Sequence, residues 1–205
     1  MKRIYTRQDR YDIVADALRS GRGSILDIGA RDRILKSRLN GGYDYFSADV
    51  VDGHDYTINL EDKLQFEDNK FDFVVALDVL EHIENIHGAF HELARTAGKM
   101  LIVSLPNMAC LKQRTAYLTG GVLATGKYDL DPEPACDRHR WLTVYPEMNN
   151  FIEENAASAG LRIERIVDEM EHGRFMSRFA LACSHLGIAR DGLMTCRCVY
   201  FLSKT

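Results

Sequence analysis

The sequence predicts an α/β fold, a doubly wound and mostly parallel seven-stranded sheet closed by an antiparallel terminal hairpin. Three observations predict it. Short apolar runs of strand length alternate with segments of helical period over most of the chain. The run from Phe71 to Ala76 has a continuous apolar core, the pattern of a parallel strand buried on both faces. Two strand-like runs, 161–168 and 195–203, end the chain around one helical run near 174–187, which fits an antiparallel closing pair.

The elements follow in order. Tyr11, Val14, Ala15 and Leu18 share a helix face over 7–20, and Gly21 and Gly23 end that helix. Ser24 to Ile28 is a short buried strand running into Gly29, followed by a helix over about 32–39. Gly41 and Gly42 turn the chain into a strand over 43–48 that stops at Asp49, and 55–58 is a third short strand. After the 71–76 strand, Ile83, Ile86, Phe90, Leu93 and Ala97 form a helical stripe that Gly98 stops. Met100 to Leu105 is the next buried strand, halted by Pro106. The pattern then loosens: a helix over 108–119, a break at Gly120 and Gly121, and an irregular segment over 126–140. Pro146 opens a helix over 146–159 and Gly160 lies just past its end.

The bulk properties set bounds. A chain of 205 residues suits one domain, taken as 1–205 with an insertion at about 108–142. A net charge of -4 offers no footprint for duplex nucleic acid, so no nucleic-acid partner is expected. The basic N-terminus is not followed by the apolar stretch of a secretory signal, and no apolar run is long enough to cross a bilayer. Five cysteines, an odd number with no Cys-x-x-Cys pair, point to reduced thiols and a cytoplasmic location. Cys196 and Cys198 alternate on one side of a strand and read as small buried hydrophobes.

The chemistry-bearing cluster is Ile25-Leu26-Asp27-Ile28-Gly29-Ala30-Arg31-Asp32-Arg33. A strand, an acid, a turn glycine and a helix start follow one another, and a helix start exposes N–H groups that attract anions. Gly29 lets a ligand approach the backbone. Asp49 ends the next strand about twenty residues later, where an acid can hold both hydroxyls of a ribose. Each acid alone reads equally well as a cap or turn residue; together, at successive strand ends, they define a nucleoside crevice. Gly29-Ala-Arg-Asp-Arg lacks the Gly-x-Gly-x-x-Gly of a nicotinamide dehydrogenase, so a reductase of the same architecture is the weaker alternative. His87 and His91 stand one helical turn apart, but no third ligand is evident and no metal is expected.

Over residues 10–168 the sequence resembles the class I S-adenosylmethionine-dependent methyltransferases, particularly the type 11 and MetW-like group. The resemblance is carried by Leu26-Asp27-Ile-Gly29-Ala-Arg-Asp32, by Asp49, by Asn59-Leu60, by Leu64-Gln65-Phe66-Glu67-Asp68 with Phe71-Asp72, and by Ala76-Leu77-Asp78-Val79-Leu80-Glu81-His82-Ile83. Ser104-Leu105-Pro106-Asn107, Arg114, Gly120 and His139 resemble that group's substrate-side region. It implies a Rossmann-like methyltransferase fold and S-adenosylmethionine as cofactor, with S-adenosylhomocysteine as product. It also implies a cofactor site of Asp27, Gly29, Ala30, Asp49, Val50, Asn59, Leu60, Leu77 and His82. Asn59 stands where the group often has Asp, and Arg31 and Arg33 stand where it usually has glycine. Those arginines either point outward and leave the loop competent, or fill the pocket.

The expected reaction is methyl transfer to a small-molecule acceptor at oxygen, with His139 as base. His139 lies in Asp137-Arg138-His139-Arg140-Trp141, where the arginines bind an anionic acceptor or pair with Asp129, Asp131, Glu133 and Asp137. Tyr5 and Tyr11 are candidates for an aromatic lid. The alternative is a non-catalytic or weakly cofactor-binding subunit working through a partner protein. A homodimer is left open.

Overall fold

The computed structural model describes residues 1–120, 138–170 and 192–204. Eight strands form one sheet: β1 (Lys2–Thr6), β2 (Gly23–Ile28), β3 (Tyr43–Asp49), β4 (Tyr56–Thr57), β5 (Phe71–Leu77), β6 (Ala97–Pro106), β7 (Leu161–Met170) and β8 (Thr195–Lys204). The helices are α1 (Arg10–Leu18), α2 (Ile34–Arg38), α3 (Ile86–Thr96), α4 (Leu111–Leu118) and α5 (Tyr145–Ser158), with a short 3₁₀ turn at Leu80–His82. The helix expected near 174–187 and most of the irregular 126–140 segment lie outside the described residues.

The strand order is β1-β7-β8-β6-β5-β2-β3-β4. Among the described residues only β8 runs against its neighbours, β6 and β7, and the other pairings are parallel. The chain steps outward from β2 to β3 and β4, then returns to the other side of β2 to lay down β5. That reversal makes the carboxyl edge of β2 and β5 the topological switch point, where a crevice opens.

Apolar residues alternate along the strands to serve two layers. Leu26, Ile28 and Val74 face α3 and α5, packing with Phe90 and Ile152. Ile25, Val75 and Ile102 face α1 and α2, packing with Val14 and Leu35. The sheet is therefore wound on both sides. Between β4 and β5 no regular element forms, yet the path is fixed. Arg95 of α3 donates to the carbonyls of Leu64 and Phe66 at 3.0 and 2.7 Å and pairs with Asp68 and Glu92. Phe46, Tyr56, Phe66 and Phe71 close over this segment with ring centroids 5.0–6.3 Å apart.

Four details differ from expectation. The sheet has an eighth strand, because the basic N-terminal residues pair as an edge strand with β7 and Arg3 reaches Asn149 at 2.9 Å. The first helix begins at Arg10, where Asp9 accepts from the Tyr11 and Asp12 amides. Gly98 does not stop α3: the helix ends at Thr96 and β6 starts at Ala97. A Cβ at Gly98 would meet the carbonyl oxygens of Asn69 and Phe71 at 3.2 and 3.3 Å, so close strand packing is its role. The second helix is one short turn from Ile34, leaving 29–33 as a loop rather than an anion-binding helix start.

Candidate active site

A cavity of about 580 Å³ opens at the carboxyl edge, within the range of small-ligand pockets. Its wall includes Gly29, Asp49, Val50, Asn59, Leu60 and Leu77. His82 and His139 stand on the same wall.

The two loops at the strand reversal touch. A Cβ added at Gly29 would lie 2.5 Å from Val79 Cγ2, and Gly29 has φ 72°. No other residue fits there without movement. The Gly29 and Ala30 amides donate to the Ala48 carbonyl at 2.9 and 3.2 Å, tying the loop to the end of β3. Asp49, the last residue of β3, is buried. Its Oδ2 accepts from the Arg31 amide at 3.1 Å and its Oδ1 from the Val50 amide at 2.8 Å. The Val51 amide reaches Oδ1 as well, at 3.4 Å, and with about four lone-pair sites on a carboxylate Asp49 keeps capacity for a further donor on the cavity side.

Arg31 and Arg33 adopt left-handed backbone, at φ 38° and 53°. This is the conformation that suits glycine. Arg33 turns away from the cavity: its Nε donates to Ser47 Oγ at 3.2 Å and its guanidinium to the Gly53 carbonyl. Arg31 is exposed at the cavity rim.

Asp27 lies behind the wall, not on it, and Ala30 is also absent from the lining. The Asp27 carboxylate accepts from the Tyr45 hydroxyl. Burial pushes its carboxyl up to about 7, with the Asp49 charge adding and the Tyr45 bond opposing. Asn59 Oδ1 accepts from the Glu61 amide at 3.1 Å.

Residues remote in sequence complete the cavity. Asp78 follows β5 with φ 56° and accepts from Ser104 Oγ at 2.6 Å and Arg197 Nε at 2.8 Å. Arg10 stands 3.6 Å away, and Arg197 also pairs with Glu169 at 2.6 Å. Burial alone would raise the Asp78 carboxyl, but the two arginines hold it below the usual carboxylate range. Asp78, Arg10 and Arg197 were not anticipated as site residues. The Asp78–Glu81 stretch was a visible signal, but nothing local in the sequence brings α1 and β8 to it.

The residues from Arg138 onward dock over the turn after β5. The Arg140 and Trp141 amides donate to the Glu81 carbonyl, and Trp141 Nε1 donates to the Ile83 carbonyl at 2.7 Å. This brings His139 Nε2 within 4.0 Å of Glu81 Oε1 and its ring 4.7 Å from that of His82. Arg140 pairs with Glu84 at 3.4 Å, while Asp129, Asp131, Glu133 and Asp137 lie outside the described residues. His87 and His91 do not converge on a site. They meet Asn155 and Ser158 of α5. Tyr11 lines the cavity, whereas Tyr5 is an exposed residue of β1. Cys198 is buried as expected and its thiol donates to Asp168, whereas Cys196 is only partly buried and lines the cavity.

An open α/β sheet with its cavity at the strand reversal, a close-approach glycine after β2 and an acid ending β3 is the arrangement in which doubly wound α/β enzymes take nucleoside cofactors. The methyltransferase-domain family matches residues 5–182. The chain belongs to that family of methyltransferase domains. It is 34% identical over 104 residues to the bifunctional methionine biosynthesis protein MetXA/MetW of Rhodopirellula baltica, a match covering 50% of this chain and 15% of that protein. Solved structures share the fold. A SAM dependent methyltransferase from Archaeoglobus fulgidus superposes with TM-score 0.61 at 16% identity over 97% of this chain and 96% of the other. The magnesium protoporphyrin IX methyltransferase of Synechocystis, solved with bound SAH, does so with TM-score 0.57 at 17% identity over 95% and 82%. No helix among the described residues is long and apolar enough to cross a membrane.

Proposed function

We propose that this chain binds S-adenosylmethionine in the 580 Å³ cavity and transfers its methyl group to the oxygen of a small-molecule acceptor. The observation that carries the reading is the buried Asp49 carboxylate at the end of β3, on the cavity wall beside Gly29. Asp49 accepts the ribose hydroxyls, and Gly29 admits the cofactor against the backbone. Val50, Asn59 and Leu60 meet the adenine side, and Leu77 lies toward the reacting centre. Asp27 supports the loop from behind through Tyr45. The outward course of Arg33 favours a competent pocket over a blocked one.

When bound, the cofactor supplies an electrophilic methyl carbon: a carbon–oxygen bond forms as the carbon–sulfur bond breaks, with the electron pair staying on sulfur. The protein's part is alignment, worth about 7–11 kcal/mol in favourable cases. Its second part is removal of the acceptor's proton. His139 is the base we assign, held against Glu81. A mass-spectrometric assay with isotopically labelled S-adenosylmethionine and hydroxylated acceptors tests the reading. Labelled methyl ether or ester is expected, with the rate lowered about 10²-fold or more in His139→Ala. Label appearing only on nitrogen or carbon would refute the oxygen assignment. An unchanged rate in His139→Ala would refute the base.

A further inference from the structure

Glu81, His82 and His139 meet on the cavity wall. His82 Nε2 and His139 Nε2 lie 3.9 and 4.0 Å from the same oxygen, Glu81 Oε1. One ligand atom from each residue falls within 4.8 Å of the others. The Glu81 side chain is wholly buried and that of His139 is 5% exposed. His82 Nδ1 lies 3.0 Å from the Arg138 carbonyl. A carbonyl only accepts, so Nδ1 carries a proton, and the ring turns its other nitrogen, Nε2, toward Glu81. A backbone carbonyl holding one imidazole nitrogen so that the other is presented is the usual support of a metal-binding histidine.

The gap between each Nε2 and Glu81 Oε1 is too wide for a hydrogen bond. It is roughly half an ångström wider than the ligand–ligand edge of a tetrahedral site with bonds of about 2.0–2.1 Å, a difference that side-chain rotation can close. Two imidazoles and one carboxylate suit zinc, manganese or iron rather than magnesium or calcium.

We propose that Glu81, His82 and His139 bind one divalent transition-metal cation whose open coordination positions face the cavity. Under the methyl-transfer reading, on which this consequence rests, the cation takes the acceptor hydroxyl as a further ligand and lowers its pKa. With the cation bound the proton leaves to water and His139 serves as a ligand; the base role assigned to His139 above then belongs to the metal-free protein.

The test uses untagged full-length protein stripped with chelator and titrated with Co²⁺, followed by visible absorption. One equivalent per chain is expected, with ligand-field bands that one equivalent of Zn²⁺ displaces. Affinity should fall more than tenfold in His139→Gln, with circular dichroism unchanged. Binding no tighter in wild type than in that variant overturns the proposal. Should the variant not fold, pulsed EPR of the Mn²⁺-loaded wild type decides: coupling to histidine nitrogen is expected, and its absence overturns the site. S-adenosylhomocysteine affinity measured on the same wild-type protein separates the two readings. Metal binding lost with S-adenosylhomocysteine retained removes the metal site alone, and the converse removes the methyl-transfer reading alone.

Discussion

Gly29, Arg31 and Asp49 show how single positions set the loop after β2. Gly29 combines left-handed backbone with a neighbour that leaves no room for a methyl group. Gly29→Ala should cost about 2 kcal/mol in urea unfolding, through backbone strain and the Val79 contact, and weaken S-adenosylhomocysteine binding in calorimetry. Arg31 carries the same backbone cost without a glycine's freedom. Arg31→Gly should raise stability by up to about 1 kcal/mol, since the left-handed penalty of roughly 1–2 kcal/mol exceeds the added chain entropy. A drop in melting temperature for Arg31→Gly would mean that its side chain contributes more than its backbone costs.

At the element scale, the segment between β4 and β5 depends on one side chain from α3. Arg95 holds two carbonyls and two carboxylates, and its partner Glu92 accepts from the Leu64 amide at 2.9 Å. Arg95→Ala should destabilise by about 2–3 kcal/mol and release Leu64 and Phe66 from the core, measurable as faster amide exchange at those positions. No helical or strand period marks this stretch, so its order is invisible locally. The same limit hid β1. Lys2-Arg3-Ile4-Tyr5-Thr6 is a half-exposed edge strand whose pairing depends on β7, some 160 residues away in the chain. The buried central strands were readable because parallel strands covered on both faces write continuous apolar runs. The boundary between α3 and β6 was misread because Gly98 serves strand packing and not helix termination.

Across the whole molecule, the reversal of strand order beside β2 gathers the site. Gly29, Asp49 and Leu77 were readable because each sits directly at or after the end of a recognisable strand. Arg10, Asp78, Glu81 and Arg197 converge only through the fold. The same architecture makes stability depend on pH through Asp27. Its folded carboxyl keeps its proton up to about 7, whereas the unfolded one releases it near 3.8. Between those values the folded state holds the extra proton, so stability should fall as pH rises through that window. The slope is about 1.4 kcal/mol per pH unit from this group. Urea unfolding of Asp27→Asn from pH 5 to 7.5 should show that slope removed; an unaltered profile would place the titration elsewhere.

The proposed function places an adenosyl cofactor against Asp49 at the carboxyl edge of β2 and β3. Calorimetric titration with S-adenosylhomocysteine measures this directly on wild type and on Asp49→Ala. One site per chain is expected, with affinity at least tenfold weaker in the variant while its circular dichroism is unchanged. No binding heat to the wild type at any temperature, or equal affinity for both proteins, would contradict the account.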